Sequence, residues 1–594
     1  MEEKFNKQIA VNEIFLRKYS AVFSVIGYIK LAAAALLAVS GYFTFAKGFP
    51  GYFLIFDAAL IFVSVLLWIY HAKIHGKLNY YEGIIAINKQ YLARISGEWT
   101  AFPDTGSEFT DTEHPYACDL DIVGGKSLFQ LLNVTNTWHG RQAFSNDLLS
   151  QNYDTGELLL RQEAIEELSG DIAFSNEMQY CASEIGVSDA VLKLIGELKN
   201  NRTFIKSKFV YYLLTILPVI TVLTICGMFI FHLKNLNIAG AVLVFVQILI
   251  WIFGMMKTFK FMGSIAKVSY KLEHYSFVFE MLQNRDFKSK KLIRLKEQLV
   301  TSNLSATKAI KQLDKITSRI SAKNNGLLYV FLNVFLLWDY GCCFMLQAWK
   351  EKYAPLAEEW FLAFGEFESL LSFSNLPNIC SSVCIPVIVE DDKIIEATDI
   401  GHPLINNSIR VNNNLSVNNN IFIISGSNMS GKTTFLRTVG INLVLANAGC
   451  FVCAQKMTLS RFKIMTSMRV ADDLNEGIST FYAELKKIKG IIDFANSNNN
   501  MIFLIDEIFK GTNSVDRFYG AKTVISKLDR LGVMGFITTH DLELCELENQ
   551  HIRIKNFSFS EHYENNQILF NYKITAGKSN TTNAKYLMEM IGIL

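Results

Sequence analysis

Charged side chains are scarce in this sequence: they make up 19% of its 594 residues, against 50% hydrophobic. With a mean hydropathy of +0.22, that scarcity argues against a purely soluble chain and for apolar segments that meet lipid. An excess of one sign is also missing. The formal net charge of +2 removes the whole-surface basic field of a nucleic-acid binder and leaves room only for local patches. A second cysteine pair is absent as well. Cys450 and Cys453 spell one C-x-x-C, Cys342 and Cys343 are adjacent, and the remaining cysteines are scattered. Nothing completes a four-ligand zinc site, so free thiols in a reducing compartment are expected. The opening residues, MEEKFNKQIAVNEIF, mix charges and lack the basic-then-apolar plan of a cleaved signal peptide.

What the sequence has in quantity is long apolar runs. Leu31 to Ala46, extended upstream by Val25 to Ile29, is the first; Tyr52 to Tyr70, with Asp57 near its start, is the second. Phe209 to Phe231 and Leu236 to Met256 follow, both uncharged. A helix needs about 20 apolar residues to cross ~30 Å of hydrocarbon, and each run is close to that length. Short connectors, Lys47 to Gly51 and His232 to Asn235, join them into two helical hairpins. Lysine and arginine flank the open ends: Lys4, Lys7, Arg17 and Lys18 before the first hairpin, Lys73, Lys77, Lys89 and Arg94 after it. Arg202, Lys206 and Lys208 precede the second, and Lys257, Lys260, Lys267 and Lys271 follow it. Each tip carries one lysine, Lys47 or Lys234. Positive flanks stay inside, which predicts a multi-pass protein of the cell inner or plasma membrane with both termini in the cytoplasm. A fifth apolar stretch, Gly326 to Leu346, holds Asn333, Asp339 and Tyr340. Asp339 is costly inside a bilayer, so this stretch reads as a buried helix of a soluble region.

The C-terminal third carries the chemistry. Ile421 to Ser425 is a β-branched, aromatic run that predicts a buried strand. Gly426-Ser427-Asn428-Met429-Ser430-Gly431-Lys432-Thr433 follows, then a helical pattern from Thr434 to Ala446. This is G-x-x-x-x-G-K-[ST] between a strand and a helix, the context a phosphate-binding loop requires. Backbone N–H groups and the helix N-terminus favour phosphate there. Lys432 is the candidate for the β- and γ-phosphates and Thr433 for Mg²⁺. Met501 to Ile505 predicts a second strand, ending in Asp506 and Glu507. Asp506 is placed to hold Mg²⁺ through water, and Glu507 to polarise the attacking water. A third strand, Val533 to Thr539, ends at His540, a candidate sensor of the γ-phosphate.

These motifs, together with Asp472-Asp473-Leu474, Gly477-Ile478-Ser479-Thr480-Phe481, Glu484, Asp506-Glu507-Ile508, Gly511-Thr512 and Thr538-Thr539-His540, resemble in order and spacing the ATPase domain of MutS proteins. Gly401-His402-Pro403-Leu404 resembles the lead-in to that domain, and Gly449-Cys450-Phe451-Val452 the stretch after its first helix. The L-S-G-G-Q of transporter ATPases is absent. Upstream, His114-Pro115-Tyr116, Leu120-Asp121-Ile122, Ser127 to Asn133, Gly140-Arg141 and Arg161 to Ile165 resemble the start of the MutS core helical domain. The resemblance implies an α/β phosphate-loop (ABC-like) ATPase domain, an all-α core and lever region, and four added transmembrane helices in two hairpins. It implies ATP and Mg²⁺ bound by residues 426–434, with Asn428 in polar contact with the nucleotide. It also implies a homodimer in which Ser479 and Thr480 reach the partner's nucleotide, and DNA as a partner beside membrane lipid. The expected organisation is an N-terminal membrane hairpin over 1–100, the first core helices over 101–205 and a second hairpin over 206–258. Lever and core helices over 259–390 and the ATPase domain over 391–594 complete it.

The departures bear on DNA. A membrane hairpin stands where MutS mismatch readers carry the domain with a Phe-x-Glu wedge, and the chain stops just after Gly592-Ile593-Leu594. Phe364-Gly365-Glu366 and Phe559-Ser560-Glu561 spell the wedge by chance, and Ser427 replaces a usual proline. A mismatch-repair-like or recombination-related clamp and an ATP-driven membrane protein without a DNA role both remain. Lys288, Lys290, Lys291, Arg294, Lys296, Lys308, Lys311, Lys315 and Arg319 are either a DNA face or a solvated helix surface.

Overall fold

The computed structural model describes residues 2–46, 52–187, 195–196, 203–205, 207–263, 269–301, 304–390, 393–469, 480–509, 514–564 and 567–579. They form two compact units: Met1–Asn133 with Leu148–Tyr180 and Phe373–Leu594, and Val134–Asp147 with Cys181–Ser372.

Helices α1 (Glu2–Ala46) and α2 (Tyr52–Ser96) pack along one another. At 1.5 Å per residue each is about 67 Å long, more than twice the ~30 Å of a bilayer core. The outer halves expose Leu31, Leu36, Val39, Ile55, Phe62 and Trp68. The acid that interrupts this half, Asp57, turns inward and accepts from Thr44 Oγ1 at 3.1 Å. The inner halves interlock through aromatic stacks, Phe15 on Tyr81 and Phe5 on Tyr91, with ring centroids 5.3 and 4.6 Å apart. Their base is bonded to the C-terminal part of the same unit. Lys4 Nζ donates to Asn378 Oδ1 (2.7 Å), Tyr91 OH to Asn375 Oδ1 (2.5 Å) and Asn406 Nδ2 to the Ser96 carbonyl (2.9 Å).

Short helices follow: α3 (Leu128–Leu132), α4 (Trp138–Leu149), α5 (Thr155–Ser169) and α6 (Ile172–Ser183). Among its described residues the second unit has helices and the paired two-residue strands β1 (Val300–Thr301) and β2 (Leu304–Ser305). Its apolar hairpin is α7 (Lys208–Phe231) and α8 (Lys234–Met262). After it come α9 (Ser269–Asn284), α10 (Lys290–Gln298), α11 (Ala306–Ile320), α12 (Gly326–Leu336) and α13 (Trp338–Phe373). Among the described residues four helices, α1, α2, α7 and α8, are long and apolar enough to cross a membrane by length and composition.

The fifth apolar stretch departs from expectation. It is not one buried helix: the chain breaks at Leu337, in the left-handed region (φ 46°), and α12 and α13 meet at 79°. α12 lies against α7 and α8 and leaves Leu327 89% exposed, with Val330 and Phe331 also outward. Its polar residues misled because they turn inward. Asn333 Oδ1 accepts from the Asp339 N–H at 3.0 Å, and Tyr329 OH donates to Asp339 Oδ2 at 2.5 Å. With these groups satisfied among themselves, the apolar face points out.

After α14 (Leu376–Ile379) come two sheets. The smaller, in the order β3 (Val387–Val389), β7 (Lys456–Ser460), β4 (Ile394–Ile400), β5 (Asn413–Asn418), begins ahead of the expected boundary at 391. The larger runs β12 (Gln567–Ala576), β11 (Ile554–Glu564), β6 (Ile421–Ser425), β10 (Met534–Thr539), β9 (Met501–Asp506), β8 (Lys463–Ser467). It is parallel from β8 to β11, and only β12 is antiparallel. β6, β9 and β10 are buried at every position, as near-continuous apolar runs in a parallel sheet should be. α15 (Lys432–Asn447), α16 (Thr480–Ser497) and α17 (Ser514–Arg530) complete the domain. Ile488 and Ile491 of α16 and Val524, Ile525 and Leu528 of α17 share one core cluster with Ile423, Phe503 and Ile537 of the sheet.

Candidate functional site

Strand register assembles the site. Thr538 is the Cα partner of Asp506 across β10 and β9, and Thr539 the partner of Ser425 across β10 and β6. The C-terminal ends of three neighbouring parallel strands therefore lie side by side, where an open α/β sheet binds ligands.

After Ser425 the chain needs glycine. Gly426 and Gly431 have φ of 149° and 106°, and a Cβ at Gly426 would sit 2.8 Å from the Phe559 carbonyl. Met429 is also left-handed (φ 69°) and 85% exposed. Lys432, nearly buried at the start of α15, donates from Nζ to the Gly426 and Ser427 carbonyls, both at 2.8 Å. Ser427 donates to Glu561 Oε2 at 2.9 Å, so this residue ties the loop to a buried acid of β11. Ser430 Oγ is buried without a hydrogen-bond partner among the described residues, while Asn428 and Thr434 are exposed.

The acids stand opposite. Thr433 Oγ1 donates to Asp506 at 2.9 and 3.1 Å, and Thr538 Oγ1 donates to Asp506 Oδ1 at 2.7 Å. Glu507 adopts φ 55°, its N–H donates to Thr538 Oγ1 at 2.9 Å, and its Oε1 lies 2.7 Å from His540 Nε2. Glu484, also buried, accepts from the Phe509 N–H and fixes the chain just beyond Glu507. A hydroxyl and a carboxylate facing each other beside a lysine, with an unsatisfied buried hydroxyl in the loop, fit a magnesium–polyphosphate ligand. Ser479 lies outside the described residues, as do Asp472 to Ile478 and Gly511-Thr512. Thr480 opens α16.

The wedge spellings are accounted for. Glu561 serves the loop. In α13, Phe364 is buried and Glu366 pairs with Lys291 at 2.5 Å. Cys453 faces Cys380, not Cys450: the two Sγ atoms are 2.6 Å apart and Arg410 donates to Cys380 at 3.0 Å. The Cys453 hydrogen bond and the guanidinium outweigh burial and bring the Cys380 thiol down to about 7. None of the described cysteines is in a disulfide.

Sequence reasoning missed how the upstream segments brace this domain. Arg437, one turn along α15 from Thr433, donates to Asp121 Oδ2 at 2.7 Å, and Arg469 donates to both oxygens of Asp121 at 2.7 and 3.0 Å. Asp119 accepts from Thr466 Oγ1 (2.7 Å) and the Met468 N–H (3.0 Å). At the far end of α15, fully buried Arg161 donates to the Ala448 carbonyl at 2.7 Å, placing a cation on a helix C-terminus. The resembling runs Leu120-Asp121-Ile122 and Arg161-Gln162 were visible in the sequence, and their partners were not.

The candidate DNA face is partly engaged. Lys291 holds Glu366, Lys296 lies 3.7 Å from Asp286, and Lys311 holds Glu280 at 2.7 Å. Lys308, Lys311, Lys315 and Arg319 still line one exposed face of α11, opposite buried Ile310, Leu313 and Ile316.

Residues 422–593 match the family model for MutS domain V. Curated relatives share the name DNA mismatch repair protein MutS. That of Geobacillus sp. is 33% identical over 172 residues, 29% of this chain and 20% of the relative. That of Bacillus thuringiensis is 34% identical over 172 residues, 29% and 19%. That of Lactobacillus gasseri is 26% identical over 306 residues, 50% of this chain and 34% of the relative. The chain thus spans at most about a third of the length of these relatives.

Proposed function

On the premise that this chain belongs to the MutS family through its domain V, we propose that it is a membrane-anchored ATPase of the phosphate-loop class. The observation that carries this reading is the convergence of Lys432, Thr433, Asp506, Glu507 and His540 at the ends of adjacent parallel strands.

The Lys432 ammonium exchanges two neutral carbonyls for the charged β- and γ-phosphates of ATP, a stronger pairing that the glycine turns leave room for. The Ser430 hydroxyl gains a phosphate oxygen as acceptor, and the N-terminus of α15 adds its partial positive charge. Thr433 and Asp506 hold Mg²⁺, which when bound neutralises charge on the phosphates. Glu507 accepts a proton from water as the water oxygen bonds to the γ-phosphorus and the bond to the ADP oxygen breaks. The left-handed backbone of Glu507 and the contact with His540 fix where that carboxylate points. The products are ADP and phosphate. Asn428, Met429 and Thr434, on the open side of the loop, face the rest of the nucleotide. Ser479 and Thr480 of a second copy close the site, making the working form a homodimer.

Two hairpins anchor the dimer, with the ATPase domain in the cytoplasm. The name of the relatives and the basic face of α11 favour DNA as the partner, held through its phosphates. The ion pairs that engage Lys291 and Lys311 favour the second reading, an ATP-driven membrane protein with no DNA role. Binding of the detergent-solubilised protein to duplex and branched DNA across salt separates them. Affinity that falls steeply with salt supports the first, and no binding at low salt supports the second. For the anchor, cysteines placed near Lys47 and Lys234 should label from outside and those near Lys77 and Lys257 from inside. Recovery of the whole protein in an alkaline wash without detergent would overturn it.

A further inference from the structure

The second unit holds a groove of about 860 Å³ between α7 and α8, floored by Tyr340 of α13. Its walls are apolar, with Val210 and Leu213 on one side and Val246, Leu249 and Phe253 on the other. Along α8 it runs from Val246 to Lys257. At 1.5 Å per residue that is about 16 Å, half of the ~30 Å hydrocarbon core and so the depth of one leaflet. The floor is fixed. Tyr340 OH donates to the Ile250 carbonyl at 3.1 Å, and Gly254 supplies the clearance, since a Cβ there would run into the Tyr340 hydroxyl.

One end of the groove is polar, and only that end. Exposed Lys257 lies with Nζ 5.2 Å from the ring centre of Phe204, beside Ser207 and Thr203. The same level carries more cations on aromatic rings. Lys323 Nζ sits 5.6 Å from the Phe259 ring and Lys350 Nζ 5.6 Å from the Phe261 ring. Phe204 packs on Phe261 and Tyr340, at 5.2 and 5.8 Å. Lysines over aromatic rings where an apolar face ends are the pattern of a membrane–water interface. It lies at the lysine-rich end of the hairpin, where anionic headgroups attract cations.

We infer that this groove is a binding site for one anionic phospholipid, an acyl chain lying between α7 and α8 and the headgroup phosphate on Lys257. The inference rests on the membrane reading given above and adds to it a specific lipid and a specific place. A zwitterionic lipid could fill the apolar slot and offers the same phosphate, but its choline adds a positive charge at a level that already carries Lys257, Lys323 and Lys350.

The test uses the full-length protein extracted in mild detergent and offered equal phosphatidylglycerol and phosphatidylcholine of the same chains, with retained lipid counted by native mass spectrometry. Phosphatidylglycerol should be retained over phosphatidylcholine by about five-fold, the factor one lysine supplies near an anionic surface. Lys257→Gln should erase that preference while lipid still binds. Leu249→Trp, which fills the slot, should reduce retention of both lipids at that site, and the intact mass and elution volume of each variant report whether it is folded. Equal retention of the two lipids by the unaltered protein would overturn the inference, as would folded Lys257→Gln and Leu249→Trp variants that behave like it. A protein found in the alkaline wash fails at the earlier step, the anchor. A membrane-extracted protein without lipid preference fails at this one alone.

Discussion

Gly140 and Glu368 give a test of packing that the sequence alone could not have posed. Glu368 is fully buried in the second unit, where its carboxylate accepts from the Asn136 N–H at 2.7 Å and from Thr137 Oγ1, which in turn accepts from the Gly140 N–H at 3.1 Å. A Cβ at Gly140 would run into Glu368 Oε2. Gly140→Ala therefore evicts the carboxylate. Two hydrogen bonds to an acid, at about 1.5–3 kcal/mol each, are lost, and about 1 kcal/mol of helix propensity is regained. The expected cost is about 3 kcal/mol, and it should appear as roughly a hundred-fold faster amide exchange at Asn136 and Gly140 by mass spectrometry of the intact protein. pH supplies a second arm. Burial pushes Glu368 from its ordinary 4.5 up to about 7, against the hydrogen bonds from Thr137 and Asn136. The folded state then holds the proton more tightly than the unfolded state. This contribution is fully present below pH 4.5 and is lost as pH rises to 7, about 3 kcal/mol in all. Glu368→Gln removes the titration, so its stability relative to the parent should improve from pH 5 to pH 8. If Gly140→Ala left exchange unchanged within about three-fold, or Glu368→Gln showed no pH trend, the carboxylate would not be where the argument puts it.

His402 carries the opposite sign. Burial, with Arg437 and Arg410 nearby, lowers it to about 3, so stability falls as pH drops below 6.5, by about 5 kcal/mol at the limit. His402→Gln should flatten acid unfolding followed by circular dichroism between pH 6.5 and 4, and an unchanged profile counts against a buried neutral imidazole. Arg161→Ala should destabilise the ATPase unit by about 3 kcal/mol, because it strips a buried cation from the end of α15, and limited proteolysis should detect the loosening. Glu507→Gln should bind ATP normally and hydrolyse it about a hundred-fold or more slowly, measured by single-turnover release of phosphate; a normal rate would place water activation elsewhere.

Local patterns read well and long-range pairings did not. The strand Ile421–Ser425, the glycine loop and the acids after Met501–Asp506 were legible because each depends on neighbours a few residues away: continuous apolar runs, then glycine, then a charge. That Thr538 would bond Asp506 follows from strand register, which no local pattern states. The bracing of α15 by Asp121 and Arg161 spans about three hundred residues of chain, and only the motifs themselves were visible. In the stretch Gly326 to Leu346, polarity misled, since Asn333 accepts from the Asp339 N–H and Tyr329 donates to the Asp339 carboxylate, so these groups are paired locally instead of marking a soluble core. Another pairing of this kind is made by Asn413, the first residue of β5. There the Asn413 side chain donates to the Tyr572 carbonyl and accepts from the Ile574 N–H, holding β12 beside β5.

The central claim is that ATP is hydrolysed at the loop closed by Lys432. The most direct measurement is steady-state phosphate release by the detergent-solubilised protein and its Lys432→Ala variant, at matched folding judged by circular dichroism. The Lys432 ammonium is the group that donates to both the Gly426 and the Ser427 carbonyl. Magnesium-dependent hydrolysis by the parent, with loss of turnover and of nucleotide binding in Lys432→Ala, is the expected result. A parent without hydrolysis, or a variant that turns over at the parent's rate, would contradict it.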